Sequence, residues 1–340
     1  MTTPRWFDAH LDLAYLAELG RDMHAMPADA RGRLQPAAVT LPALRDAGVT
    51  AVLGTIFTEQ VDDPAAPGAE TGSFAYPAGD VAAAYVCGMR QLKLYQAWRE
   101  AGIVRYFSDE PKEGALSLGV LIENADPIPS PDELADWTAG GVVAVGLCWA
   151  MRGRYACGNH AADTGEDSGL TDLGRAMIEA MDAAGVIHDA SHLSDRSLDQ
   201  LFERTDRLVI ASHSNVRTLA GDSHWHLRDE SIAEIARRGG VVGLNLFREF
   251  IKPGMTGKSR PTVADAVDHV ERICEITGST AHVGLGSDMD GGLTALELLD
   301  SVEGPGDLGV LGEELARRGW TAEEIEGFRF GNWARIFPGA

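Results

Sequence analysis

Short apolar runs rich in β-branched residues recur eight times along the chain, with helix-like segments between them, and this alternation restricts the fold more than any other feature. The runs predict strands near Trp6–Leu13, Thr50–Phe57, Leu116–Glu123, Val142–Trp149, Val186–Leu193, Leu208–Ser214, Val241–Phe247 and His282–Met289. Helices are expected near Leu41–Ala47, Asp80–Glu100, Asp132–Ala139, Leu170–Ala184, Arg196–Glu203, Asp229–Arg238, Val263–Thr277 and Asp307–Arg318. Gly185, Gly239-Gly240 and Gly278 stand where helices end in a left-handed residue. Eight βα units, with no GxGxxG after the first run, fit a closed (β/α)₈ TIM barrel better than an open doubly wound sheet. No low-complexity linker and no repeat divides residues 1–340, so one barrel domain is expected. The stretch Asp62–Gly79, punctuated by Pro64, Pro67, Gly68, Gly72, Pro77 and Gly79, is the one long loop, either a lid over the barrel or a plain insertion.

Composition narrows the partners. With 29 Lys+Arg against 51 Asp+Glu the formal charge is −22, and no basic run exists, which excludes the positive footprint that nucleic acid or an anionic membrane demands. Hydrophobic residues make up 45% of the chain, enough for a large core. The N-terminal MTTPRWFDAHLDLAYLAELG mixes charges into its apolar residues and fits neither a signal peptide nor a membrane span, so a cytoplasmic protein is expected. Four scattered cysteines without a CxxC pair read as reduced thiols.

Polar residues fall at the C-terminal ends of the expected strands, where barrel enzymes keep their active sites. Strand one ends in FDAHLDL, which sets His10 and Asp12 two apart on one side. Strand three ends at Glu123, strand five at His192, strand six at His213 and strand eight at Asp288. A lone strand-end histidine is most often a hydrogen-bonded core residue. Three imidazoles and three carboxylates converging from different strands would instead cost several kcal/mol to bury unpaired, and a metal centre is the natural compensation. Mixed nitrogen and oxygen donors suit Zn²⁺ or a similar first-row ion, and they suffice for two ions bridged by a carboxylate. Such a pair, roughly 3.5 Å apart, would hold a hydroxide ready to attack a carbonyl, with Asp288 moving the proton.

The motifs FDAHLDL, GVLIEN, DASHLS, IASHSN, RRGGVVGLNLF, HVGLGSDMDG and GNWARIF, taken in order over nearly the whole chain, resemble the membrane dipeptidase (renal dipeptidase) family, the M19 peptidases of the amidohydrolase superfamily. The resemblance implies a zinc-dependent dipeptidase. By it His10 and Asp12 hold a first zinc, Glu123 bridges, His192 and His213 complete a second, and Asp288 delivers the proton to the departing amine. It further implies a small dipeptide substrate, tolerance of a D-residue at the C-terminal position, and a homodimer. Asp290 reads as a turn residue, or one that supports the site from behind, before Gly291-Gly292.

The sequence departs from the family's pattern in three places. The histidine expected after strand four, which polarises the substrate carbonyl, is missing from Gly146-Leu147-Cys148-Trp149. The slot of a substrate-binding arginine after strand six holds Trp225, in Trp225-His226-Leu227-Arg228-Asp229. Asn124-Ala125-Asp126 replaces Gly-Gly-His after the bridging glutamate. Losing an oxyanion donor costs about 10² to 10³ in rate where nothing replaces it. Trp149, Arg228 and His226 are the expected substrate contacts, with Arg152, Arg154 and His160 as further donors near in the chain. The departures keep two alternatives open: another amidohydrolase reaction on the same centre, such as deacylation of an N-acyl amino acid or lactone opening, and a non-catalytic family member.

Other residues carry plainer readings. Cys148 and Cys157 are expected to be buried thiols, His188 a packed core residue, and His224 either a substrate contact or part of a solvated loop.

Overall fold

Eight parallel strands, hydrogen-bonded in chain order, form the centre of the molecule: β1 (Trp6–Leu11), β2 (Val49–Ile56), β3 (Leu116–Ile122), β4 (Val142–Gly146), β5 (Ile187–Asp189), β6 (Val209–Ile210), β7 (Val242–Leu244) and β8 (Val283–Leu285). The computed structural model describes residues 4–61, 74–165, 167–255 and 257–340. β8 pairs with β1 through Asp8 and Leu285. Between β6 and β7 a single bridge, Ala211 to Val242, completes the ring, with Ala211 N donating to Val241 O at 3.0 Å and Gly243 N to Ala211 O at 2.8 Å. The result is a (β/α)₈ barrel.

Each expected strand and helix has a counterpart, and the strand ends differ for a local reason. The run Val186–Leu193 is strand only to Asp189, and His282–Met289 only from Val283 to Leu285. His192, Asp288 and Asp290 have φ of 65°, 57° and 64°. An L-residue in this left-handed region cannot continue a pleated strand, so the chain turns where the polar side chains begin. β1 also stops early, and a helix at Leu13–Glu18 follows it directly. Helix ends follow the residue chemistry. Thr262 and Asp265 form a capping box on Val263–Thr277, which Gly278 closes at φ 68°, and Gly185 closes Asp172–Ala184 at φ 70°.

The foot of the barrel is sealed by aromatic rings. Phe7 lies with its centroid 5.8 to 6.1 Å from those of Phe107, Phe330, Trp333 and Phe337, so the C-terminal segment plugs the end opposite the polar residues. Trp333 donates from Nε1 to Leu285 O at 2.9 Å, and a Cβ at Gly284 would come within 2.4 Å of that nitrogen, so glycine is required there. The sequence pattern, followed only to Arg318, misses these helices between Ala322 and Ile336. Two short parallel strands, Glu59–Val61 and Ala75–Pro77, flank the loop after β2. Of the expected loop, 62–79, the part at 62–73 lies outside the described residues. Among the described residues no helix is long and apolar enough to cross a membrane.

Candidate metal centre

The C-terminal ends of β1, β3, β5, β6 and β8 bring the six expected polar residues together. His10 Nε2 lies 3.8 Å from Asp12 Oδ2, 4.0 Å from Glu123 Oε1 and 3.8 Å from Asp288 Oδ1. Glu123 Oε1 is 2.8 Å from His192 Nε2 and 3.6 Å from His213 Nε2, and these two nitrogens are themselves 2.8 Å apart. The donor atoms fall into two groups compact enough for one ion each, His10–Glu123–His213 and His10–Asp12–Asp288. His10 belongs to both groups.

The backbone explains how adjacent residues reach one spot. β1 carries an extra residue against β2 between Asp8 and Leu11, so strict alternation fails at its end. A Cβ on Gly291 would come within 1.9 Å of Asp288 Oδ1 and 3.0 Å of Asp12 Oδ2, so only glycine fits beneath these carboxylates.

Electrostatics show what the cluster lacks. His10, Asp12, Glu123 and His213 are 1 to 4% exposed. Burial pushes Asp288 well above the usual carboxylate range, with Asp12 and Glu123 adding to it. Burial would lower His10, but Glu123, Asp12 and Asp288 outweigh it and hold the imidazole at about 10. Burial, reinforced by His10 and His192, drives His213 well below its ordinary value. His10 Nδ1, Asp12 Oδ1, Glu123 Oε2 and His192 Nδ1 are buried without a hydrogen-bond partner. Acidic and basic groups that must share protons, with donor atoms left over, are the fit expected of a cation site.

Residues that sequence reasoning passed over hold this cluster in place. Asp8 accepts from Ser287 N at 2.8 Å, from the Ser287 hydroxyl, and from His10 N at 3.3 Å. Asp189 accepts from Ser212 N at 2.8 Å, Ser212 Oγ at 2.6 Å and Ser191 N at 3.1 Å. Since the single Ser212 proton goes to Asp189, the 2.9 Å contact with His213 Nδ1 needs the imidazole as donor, which leaves the Nε2 lone pair facing Glu123. Asn245 donates from Nδ2 to Asp288 Oδ2 at 2.9 Å and is itself gripped by Asn215. The signal available in the sequence was an aspartate inside an apolar strand just before a ligand, in FDAH and HDASH, because a buried carboxylate demands partners.

A cavity of about 380 Å³ opens beside Asp12, Glu123, His192 and Asp288. Trp149 lines it, as does Trp225. Arg228 and His226 are not brought to it. Arg228 is 3.4 Å from Asp195 and donates to Asp199 at 2.5 Å. His226 is buried edge-on against Phe250 at 4.9 Å, and burial pushes it down to about 3. Arg154 donates to the carbonyls of Asp126, Ile128 and Pro129. His160 stands 6.3 Å from the Trp225 ring, and His224 3.7 Å from Asp195. Cys148 and Cys157 are buried thiols, and burial raises Cys148 well above its ordinary value. His188, buried, is 2.7 Å from Asp182. Asp290 accepts from Arg21, Ala38 N and Val39 N and ties the loop before residue 40 to the segment after β8.

Comparison with known proteins adds three findings. A family model described as membrane dipeptidase (peptidase family M19) matches residues 1–340. An uncharacterized dipeptidase of Schizosaccharomyces pombe is 34% identical over 171 residues, and dipeptidase 3 of Rattus norvegicus is 32% identical over 170. Each match takes in 50% of this chain but only 40% and 33% of those relatives, so the chain spans well under half of their length. Among solved structures, a metallo peptidase of Rhodobacter sphaeroides, liganded with a phosphinate mimic of the dipeptide L-Ala-D-Ala, superposes with a TM-score of 0.80 over 99% of both chains at 19% identity. A probable dipeptidase of Pseudomonas aeruginosa superposes at 0.79, over 98% of this chain and 94% of its own, also at 19% identity. At such identities the shared property is the fold.

Proposed function

Because the chain belongs to the membrane dipeptidase family, peptidase family M19, we propose that it is a metal-dependent hydrolase that cleaves the amide bond of a small dipeptide. The observation that carries this reading is the convergence of three imidazoles and three carboxylates on the floor of a cavity of dipeptide size. His10, Asp12, Glu123, His192 and His213 would hold the metal, with Glu123 between two positions. Imidazole and carboxylate donors in this mixture favour zinc. Two ions held there would supply a Lewis acid for the scissile carbonyl and an activated water as nucleophile.

The chain's own residues do the rest. Asp288, as the carboxylate, would accept the proton released as water adds and pass it to the departing amine. Asn245 holds one of its oxygens, so the other faces His10 and the cavity. Trp149 and Trp225 crowd His192 at centroid distances of 6.1 and 5.8 Å and exclude water from that side. L,D-dipeptides belong among the first substrates to try, given the ligand of the Rhodobacter sphaeroides structure. Four cysteines without a disulfide suit a reducing compartment, so we place the protein in the cytoplasm.

A second reading is deacylation of an N-acyl amino acid or opening of a lactone on the same centre; that no arginine or lysine lines the cavity among the described residues favours the lactone, which carries no free carboxylate. The test is hydrolysis of a panel of L,L- and L,D-dipeptides, N-acyl amino acids and lactones by zinc-loaded protein, beside chelator-treated protein and Asp288→Asn. Dipeptide turnover that needs both metal and Asp288 is the expected result. Full activity of Asp288→Asn would sink the proton-transfer assignment, and turnover of the acyl compounds alone would select the second reading.

A further inference from the structure

The cavity beside the centre is unusual in what its walls leave out. On one side Tyr15, Phe57 and Phe74 pack together with centroids 4.9 to 5.8 Å apart. On the other, Trp225 meets Trp149 edge to face at 6.3 Å and Phe250 at 5.7 Å. Trp149 touches Phe57 at 5.3 Å, so the aromatic lining is continuous. Apart from the metal-binding cluster, the charged lining residues are Glu59 and Glu297, both carboxylates. Residues 62–73 contain no lysine, arginine or histidine.

Three of the nearby arginines are committed elsewhere. Arg228 serves Asp195 and Asp199, Arg217 pairs with Asp195 through two bonds of 2.7 Å, and Arg21 is buried against Asp290. A free dipeptide brings a carboxylate into this space. Away from the metal, that group would lose its water against rings and carboxylates and gain no donor of opposite charge. A neutral amide avoids the penalty, and a cation over the face of a tryptophan is attracted.

We infer that the pocket selects substrates with an aromatic or large apolar side chain whose far end is neutral or cationic, such as the amide of a dipeptide, over those ending in a free carboxylate. This rests on the hydrolytic reading and names its substrate class. The reaction is unchanged: water's oxygen bonds to the acyl carbon, the internal C–N bond breaks, and the amine leaves with water's proton.

The experiment compares L-leucyl-L-phenylalanine with its C-terminal amide. Leucine release by zinc-loaded protein reports kcat/KM, and quenching of tryptophan fluorescence in metal-stripped protein reports Kd. The amide is expected to be preferred by roughly tenfold or more in both. Trp225→Arg, which sets a guanidinium in the wall beside His192, should reverse the preference. Glu297→Lys should narrow it, and serves if the first variant does not fold. Equal values for acid and amide, or ratios indifferent to both variants, would overturn the inference. If neither compound is cleaved while the binding preference follows the variants, the hydrolytic reading fails and the pocket assignment stands.

Discussion

At the β1–β8 side of the barrel mouth Asp8 grips the backbone and hydroxyl of Ser287, and at the β5–β6 side Asp189 grips Ser212 in the same way. In each case the serine precedes a cluster residue, Asp288 or His213, and the aspartate sits two or three positions before a histidine, His10 or His192. The surroundings then diverge. Asp12, Asp288 and Glu123 crowd His10 and hold it charged, while His213 is kept neutral by burial and by its two histidine neighbours. Ser212 bonds the His213 ring, whereas His10 Nδ1 has no partner. One clamp therefore presets a lone pair for a metal, and the other assembles negative charge that a cation must neutralise.

The largest effects should come from Glu123, whose Oε1 lies 4.0 Å from His10 on one side and 2.8 and 3.6 Å from His192 and His213 on the other. Glu123→Gln is expected to lower activity to that of chelator-treated protein and to reduce the bound zinc measured by elemental analysis; an unchanged metal content would break the comparison. Asp288→Asn should lose about 10² to 10⁴ in kcat with a smaller loss of metal than Glu123→Gln, since it removes the proton carrier but keeps an oxygen donor at that position. The clamps themselves should separate in kind. Ser212→Ala frees the His213 tautomer and is expected to weaken zinc binding by about 10- to 100-fold. Ser287→Ala leaves Asp8, already raised to about 6 by burial, short of a donor, and should cost about 1–3 kcal/mol in denaturant unfolding with a smaller effect on metal. If both variants lose the same property to the same degree, the two clamps are equivalent and the distinction fails.

The smallest effect is a pH dependence on the histidine side. His226 is held to about 3 in the folded protein against an ordinary 6.5, so below pH 6.5 the unfolded chain binds the extra proton and stability falls as pH drops. The slope from this group approaches about 1.4 kcal/mol per pH unit until its folded value is reached. His226→Phe, which keeps an aromatic ring against Phe250, should flatten the Tm profile between pH 6.5 and 4. An unaltered profile would remove His226 from the account.

The six cluster residues were legible because each ends an apolar run, and a charge there has no place in a core. The fold was legible for the same reason, since β-branched runs and helical periodicity are local signals. The substrate wall was not. Arg228 stood near the site in sequence, but Asp195 and Asp199, on the helix Asp195–Arg204, draw it away. Trp225 read as a loss in the arginine's slot, and it became part of a lining only once Trp149 and Phe250 were brought beside it.

Periodicity, glycine placement and the polar strand ends thus determined the barrel and the convergence of His10, Asp12, Glu123, His192, His213 and Asp288. Tertiary structure alone decided that Asp8 meets Ser287 across 279 residues, that His10 Nε2 comes within 4.0 Å of Asp12, Glu123 and Asp288 at once, and that the cavity wall holds aromatic rings and carboxylates but no arginine or lysine among the described residues. The physical reason is range. Strand and helix patterns follow from neighbours a few residues apart, whereas a buried charge is satisfied by whichever distant segment the closed ring sets against it.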